Sequence, residues 1–547
     1  MPARARTEWA RWLIGVVALA AGIVAAVLLA GQGGHAARPR ALASMFEDDR
    51  LLVQQPMTAA GTATVERTLA TLRSLGVDRV RLLVGWYYLA PDNNSAVPPP
   101  HFDAANPAAY PAAAWAPYDR AIRLANQAGI AVDLDLSAPG PLWAMRPGAP
   151  DVKTSLHYAP SASDFEQFVT AVGRRYDGHY RVSQGRLVPA SAALPRVSFW
   201  SVWNEPNQPG WIAPQWVSAA GLTVPLSARI YRGLVDGAFA GLAATGHRSD
   251  TILIGELAPE GSSATTALSP MPPLPFLRAL YCLGPGYRPL QGLAAVALGC
   301  PARAGATSFR AAHPGLFDAT GFAHHPYSFY LAPNVSLPNP EFVPLADLGR
   351  LETALDRAFA AYGDARRIPL YLTEYGYETS PPRTVPPKTS LRQQSLYLDE
   401  ATYMASRDPR VRALSQFLLE DSAPDTAFPP GTERYWSTFQ TGLEFLGGAP
   451  KPALNAYRLP IYVPAASGRS VRVWGMLRPA TNGTRQMAEI QWRPVHGGYR
   501  MIATVTTTSP SGILEKTVQV PGAGAVRLAW RTPGGAILHS RAVGVTG

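Results

Sequence analysis

The chain reads as an α/β protein: a closed (β/α)8 barrel of the TIM type, a small antiparallel β-sandwich after it, and an apolar helix ahead of both. Three observations lead there. From about residue 46, short apolar runs alternate eight times with amphipathic helical stretches, the pattern of parallel strands joined by right-handed crossovers. After Pro460 the helical period disappears, and short strand-like runs are separated by turns such as Pro510-Ser511-Gly512 and Pro533-Gly534-Gly535, as in a sandwich. Residues 12–30 are an unbroken apolar stretch behind Arg4, Arg6 and Arg11. The expected divisions are 1–44 for a signal or anchor segment, 45–462 for the barrel and 463–547 for the sandwich.

The elements follow in order. A first strand is expected at 51–54. Helix 62–75 leads to strand 77–84, helix 118–128 to strand 130–136, and helix 164–176 to strand 197–202. Helix 226–244 leads to strand 251–256. A loop-rich insertion over 259–314 carries both cysteines and precedes strand 319–325. Helix 345–362 leads to strand 368–373, and helix 391–406 to strand 411–419. Sandwich strands are expected at 470–477, 487–492, 499–506, 514–520, 525–530 and 536–545. That part offers no cluster of polar residues suited to chemistry, which favours a packing appendage.

Composition narrows the function. A hydrophobic content of 47% in 547 residues supports full cores and excludes a mainly disordered chain. The formal charge of +11 is spread over helices without a basic stripe interleaved with aromatics, so nucleic acid is not the expected partner. The N-terminal apolar stretch reads as a secretory signal or an uncleaved anchor holding the protein at the membrane, with Ala41-Leu42-Ala43 as a potential cleavage site. The chemistry is therefore expected outside the cell, or at its surface. Cys282 and Cys300 are the only cysteines, and an even pair in an exported chain reads as a disulfide. With no CxxC or HExxH motif, neither a metal nor another cofactor is expected, and the protein is expected to be a monomer.

Two strand ends carry the functional reading. The run Val197-Ser198-Phe199-Trp200-Ser201-Val202 stops at Trp203-Asn204-Glu205-Pro206, and Pro206 cannot donate to a ladder. The run Ile368-Pro369-Leu370-Tyr371-Leu372-Thr373 stops at Glu374-Tyr375-Gly376. Carboxylates at the ends of buried parallel strands sit where barrel enzymes keep their chemistry, and a pair of them can cleave glycosidic bonds. In a regular strand Asn204 and Glu205 would face opposite ways, so a turn or bulge is expected at this strand end if both serve one pocket.

Over roughly residues 46–460 these motifs resemble the clan A glycoside hydrolases, near the family 5 cellulase-like and family 39 enzymes. The resemblance implies a retaining β-glycosidase acting on an extracellular oligo- or polysaccharide by double displacement. Glu205 would be the general acid/base and Glu374 the nucleophile. Asn204 would contact the sugar 2-hydroxyl, His325 and Tyr327 of His325-Pro326-Tyr327 would line the sugar site and touch the nucleophile, and Arg81 would steady the nucleophile. Trp86, Tyr87, Tyr88, Trp143, Trp211 and Tyr330 fall at strand ends or in following loops, and two or three of them are expected to stack on sugar. Glu256 is a candidate wall residue, and Glu378 a rival to Glu374. His324 is expected to satisfy a backbone group. The sequence departs from the family 5 pattern in two places. Ser137-Ala138-Pro139 stands where a histidine follows the third strand, and Leu418-Leu419-Glu420-Asp421 follows Phe417 where a tryptophan ends the eighth. Trp436 is a candidate to fill that space, or Glu420 and Asp421 to bind hydroxyls. The competing reading is a surface-displayed carbohydrate-binding pseudoenzyme without turnover.

Overall fold

The computed structural model describes residues 42–183, 186–219, 221–302, 306–479 and 484–546. The expected N-terminal helix lies outside them, and no helix among the described residues is long and apolar enough to cross a membrane.

Eight parallel strands close a barrel: β1 (Ala43–Glu47), β2 (Arg79–Gly85), β3 (Ala131–Ser137), β4 (Phe199–Val202), β5 (Thr251–Leu257), β6 (Gly321–His324), β7 (Leu370–Leu372) and β8 (Val411–Phe417). They are neighbours in sequence order, and β1 pairs with both β2 and β8 to shut the ring. The expected first strand is therefore corrected. Residues Asp49–Leu52 form a short helix, because Asp48 caps it by accepting from the Leu51 amide at 3.1 Å. The strand is the stretch just before. The barrel begins at Ala43, two residues ahead of the expected division.

Alternation along the strands explains the two environments. Val80, Leu82 and Val84 of β2, and Val132, Leu134 and Leu136 of β3, join the large core shared with the surrounding helices. Their alternate neighbours Arg81, Asp133 and Asp135 are buried on the other face, inside the ring. The interior is layered. Phe199, Leu253, Ala323 and Tyr371 form a small separate apolar cluster, with the Arg79 guanidinium 3.7 Å from the Phe199 ring centre. Above this floor the interior turns polar.

The helices α1 (Ala59–Ser74), α2 (Ala112–Gln127), α3 (Ala162–Arg175), α4 (Leu226–Ala244), α5 (Leu348–Ala360) and α6 (Leu391–Arg407) follow the expected alternation. The α3–α4 contact depends on glycine: a methyl at Gly241 would stand 2.8 Å from the Glu166 carbonyl oxygen. The segment between β5 and β6 is not simply loop. It holds short helices at Pro273–Leu280, Gly292–Ala297, Ala306–Ala312 and Gly315–Asp318, and a Cys282–Cys300 disulfide spans 18 residues of it.

After the barrel come β9 (Ile461–Ser467), β10 (Ser470–Met476), β11 (Gln486–Pro494), β12 (Arg500–Thr507), β13 (Ile513–Gln519), β14 (Gly524–Arg531), β15 (Ile537–His539) and β16 (Val543–Val545). A sheet ordered β9-β10-β13 faces a second, β12-β11-β14-β15, with β16 also on β14. Val471, Val473, Leu514 and Val518 of the first share one core with Ile490, Trp492, Leu528 and Trp530 of the second. This is the expected sandwich, with one strand, β9, added and the expected strand 536–545 divided into β15 and β16. It is fastened to the barrel by Arg478, which donates to Ser44 Oγ of β1 at 2.6 Å and stacks on Tyr457, and by an Arg541–Asp399 ion pair.

Replacing both cysteines by serine frees the loop that the disulfide closes. The expected loss in unfolding free energy is about 3 kcal/mol by the chain-entropy relation. Urea unfolding of the double variant against the oxidised parent measures it, and no change would mean the insertion is held by its helices alone.

Candidate active site

Strand β4 ends at Val202, and the chain then leaves extended geometry at once. Trp203 and Glu205 have φ of +64° and +36°, values that are costly for side-chain-bearing residues and that gather at functional sites. Three amides hold this turn to both neighbouring strands. Trp203 N donates to the Leu136 carbonyl at 3.0 Å and Asn204 N to Ser137 Oγ at 2.8 Å. Glu205 N donates to the Glu256 carbonyl at 3.0 Å. The Trp203 ring is fully buried against Phe165 and donates to the Trp211 carbonyl. Asn204 and Glu205 thereby both line one cavity, by the irregularity expected from sequence.

That cavity has a volume of about 810 Å³ and opens at the C-terminal ends of the strands. Glu374, just past β7, faces Glu205 in it. One oxygen of each carboxylate and a ring nitrogen of His325 all lie within 4.8 Å of one another. Glu374 is held at both oxygens: Oε1 accepts from Arg81 Nη1 and Oε2 from the Tyr327 hydroxyl, each at 3.0 Å. Tyr327 is itself stacked on Tyr375. Glu205 Oε1 lies 3.0 Å from His325 Nδ1.

Beneath this surface lies a buried charge network centred on Arg81. Its Nη1 also meets Glu47, and its Nη2 reaches Asp135 at 3.0 Å, Asn204 Oδ1 at 2.7 Å and Glu256 at 3.4 Å. Burial opposes the Arg81 charge, but Glu47, Glu256, Asp135 and Glu374 outweigh it and keep the guanidinium firmly protonated. Burial also works against ionisation of Glu256, yet Arg81 and the hydrogen bond from His325 hold it down at about 2. His325 is opposed by burial as well, and Glu374, Glu205 and Glu256 together push it up to about 10. Deeper in the barrel, burial raises Asp133 to about 7.

The expected residues separate into three groups. Asn204, Glu205, Tyr327 and Glu374 line the cavity. Arg81, His325 and Glu256 are fully buried behind them. Glu256 is thus no wall residue but a support. Trp86, Trp143 and Trp436 are elsewhere. Trp86 is fully buried against Trp143, Phe165 and Phe168, so neither ring face is open. Trp143 is fixed by its N–H to the Pro91 carbonyl, and Trp436 by its own to Thr384. Of the loop aromatics named from sequence, Trp211 reaches the cavity. Glu420 pairs with Arg50 and Asp421 with Lys451, and neither lines it. Glu378, the rival carboxylate, lies farther along the wall, bound to Lys388 and Arg383. His324 Nε2 donates to the Val343 carbonyl at 2.7 Å, the backbone role expected of it.

Sequence reasoning missed Glu47 and Asp49, because misplacing the first strand hid which residues end it. It also missed Phe329, Phe417 and Phe439. Phe417 ends β8 and packs edge-on to Phe439, at the place where a tryptophan was missing from the pattern.

A parallel eight-stranded barrel with paired strand-end carboxylates at one cavity is the arrangement of barrel glycosidases. In structure the chain is similar to a family 39 glycoside hydrolase from the gut symbiont Bacteroides cellulosilyticus WH2, at 13% identity over 88% of this chain and 81% of that one, with a TM-score of 0.45. It is also similar to the endo-β-1,4-mannanase from Thermotoga petrophila (11% identity, 93% of this chain and 98% of that one, TM-score 0.39). A third likeness is to Bacteroides uniformis β-glucuronidase 2 (10% identity, 93% of this chain and 46% of that one, TM-score 0.42). Neither a family profile nor a curated protein matches the sequence.

Arg81→Met strips the buried carboxylates of their cation. The expected cost is about 3 to 5 kcal/mol. Without Arg81 those carboxyls take up protons in the folded state above the range where the unfolded chain does. Stability is then recovered as pH falls, so the deficit against the parent is larger at pH 7 than at pH 5. Thermal unfolding at the two values measures it, and a deficit independent of pH would assign Arg81 a packing role only.

Proposed function

We propose that the protein is a retaining β-glycoside hydrolase, with Glu374 as nucleophile and Glu205 as general acid/base. The observation that carries this is the meeting of these two carboxylates, from the ends of β4 and β7, within 4.8 Å in one cavity. Retaining enzymes keep the two groups about 5 to 5.5 Å apart, whereas inverting enzymes leave room for a water between them. Glu374 is oriented by Arg81 and Tyr327, as an attacking oxygen requires. Glu205 delivers a proton to the leaving oxygen while Glu374 bonds to the anomeric carbon, and it then takes a proton from the water that releases the sugar. Arg81 has only donors, so Asn204 turns Oδ1 towards it and keeps its amide NH2 for a sugar hydroxyl.

The cavity favours a neutral sugar. Among the described residues two cationic side chains line it and both are engaged, Arg50 by Glu420 at 3.2 Å and Lys388 by Glu378 at 3.1 Å. Glu47, Asp49 and Glu260 add further acidic groups to the lining, and Trp211, Phe329 and Phe439 add apolar faces. Such carboxyl groups exchange hydrogen bonds with sugar hydroxyls, and with both of those cations engaged they offer a uronate no counter-charge. The disulfide and the apolar segment at 12–30 support a site of action outside the cytoplasm, on extracellular oligo- or polysaccharide.

A panel of aryl β-glycosides tests the reading. Neutral sugars are expected to be cleaved with retention, followed by NMR of the first-formed anomer, and the matching uronide at least about 10²-fold more slowly. Glu374→Ala is expected to abolish turnover, and Glu205→Ala to lower it about 10² to 10⁴-fold, with azide restoring activity on substrates bearing good leaving groups. Binding without turnover, or activity indifferent to both substitutions, would overturn it.

A further inference from the structure

His325 bridges Glu205 to a third glutamate that the double-displacement scheme does not use. Its Nε2 lies 2.8 Å from Glu256 Oε2, and its Nδ1 lies 3.0 Å from Glu205 Oε1. Glu256 Oε2 also accepts from Thr373 Oγ1 at 2.6 Å and from Arg81 at 3.4 Å. An oxygen already accepting from two donors is a carboxylate acceptor towards His325 too, so the hydrogen of that contact belongs to Nε2. At the other ring nitrogen, two lone pairs would repel at 3.0 Å, so this contact also contains one hydrogen. That hydrogen belongs either to an imidazolium beside an ionised Glu205, or to a protonated Glu205 beside a neutral ring. One proton is therefore shared across the Nδ1–Oε1 contact, and the ring's other side is pinned by a negative charge.

We propose that Glu256 is a positioning residue for acid catalysis: acting through His325, it retains beside Glu205 the proton that the leaving group takes. This rests on the glycosidase reading. The proton passes to Glu205 and on to the glycosidic oxygen as the bond from that oxygen to the anomeric carbon breaks and Glu374 bonds to the carbon. The attacking water later returns a proton to Glu205 as its oxygen displaces Glu374. Nothing is consumed between turnovers besides water and the glycoside.

The surroundings agree. Facing Glu256 are Arg81 from β2, Asp133 and Asp135 from β3, Tyr231 from α4, and His324 and His325 at the end of β6. Facing His325 are Glu205, Glu256, Glu374, His324 and Asp135. Arg81 holds Glu256 ionised at about 2, and the carboxylates around His325 keep it protonated up to about 10. Negative charge at residue 256 thus delays loss of the shared proton as pH rises, and with it the basic limb of the pH–rate profile.

Glu256→Gln keeps an oxygen for Nε2–H but removes the charge. Its basic limb in kcat/KM is expected to fall by at least one pH unit, a tenfold or greater loss above the new limb with a much smaller one at the acid optimum. Glu256→Asp, which restores the charge, is expected to recover part of the shift. A purely structural role would lower kcat equally at every pH and leave the limb in place, and that result would overturn the inference. Imidazole ¹⁵N NMR of the unsubstituted protein needs no variant to fold: both His325 nitrogens are expected to bear hydrogen at pH 8, and a deprotonated Nδ1 with an ionised Glu205 would also overturn it. Glu205→Ala, assayed alongside, separates the two readings. If it is as active as the parent, the glycosidase assignment fails; if it is impaired while Glu256→Gln keeps the parent's limb, only the role of Glu256 does.

Discussion

One buried guanidinium organises this molecule. Arg81 is fully inaccessible, and its two terminal nitrogens serve Glu47, Asp135, Asn204, Glu256 and Glu374. These partners come from the ends of β1, β3, β4, β5 and β7, so one side chain ties five strands of the ring to a common centre. Burying an arginine is unfavourable unless its hydrogen bonds are met. The carboxylates have the converse need. Each party makes the other tolerable, and the result is a fixed position for the carboxylate that faces Glu205. The apolar floor of Phe199, Leu253, Ala323 and Tyr371 closes the network off from below.

Much of this was legible in the sequence because the strands carry their own signals. Eight apolar runs with helices between them predict the ring, and the two glutamates announce themselves by standing where a strand must stop, beside Pro206 in one case. Val-Arg-Leu in β2 and Val-Asp-Leu-Asp-Leu in β3 also show which residues turn inward. The first strand was less legible, since Leu51 and Leu52 look as strand-like as Met45 and Phe46. Only pairing with β8 and the capping by Asp48 decide between them. Loop aromatics were the least legible. Trp86 and Trp143 have the composition of a sugar platform, but whether an indole faces a cavity or a neighbouring ring depends on long-range packing, and here Phe165 and Phe168 claim it.

The end of β4 shows how backbone and chemistry are joined. Left-handed φ at Trp203 and Glu205 costs roughly 1 to 2 kcal/mol per residue, offset by amide hydrogen bonds to β3 and β5 and by burial of the Trp203 ring. Without that departure from extended geometry, one of Asn204 and Glu205 would point away from the other's pocket. Glu256, also left-handed at φ +47°, marks an irregularity within β5, one residue before its end at Leu257.

The link from Arg478 to Ser44 bears on how this chain is built up from its parts. Ser44 belongs to β1, the strand on which closure of the ring depends, and lies towards its start, away from the cavity. No described residue of the sandwich lines that cavity. The terminal sheets thus act as a buttress on the seam where first and last barrel strands meet.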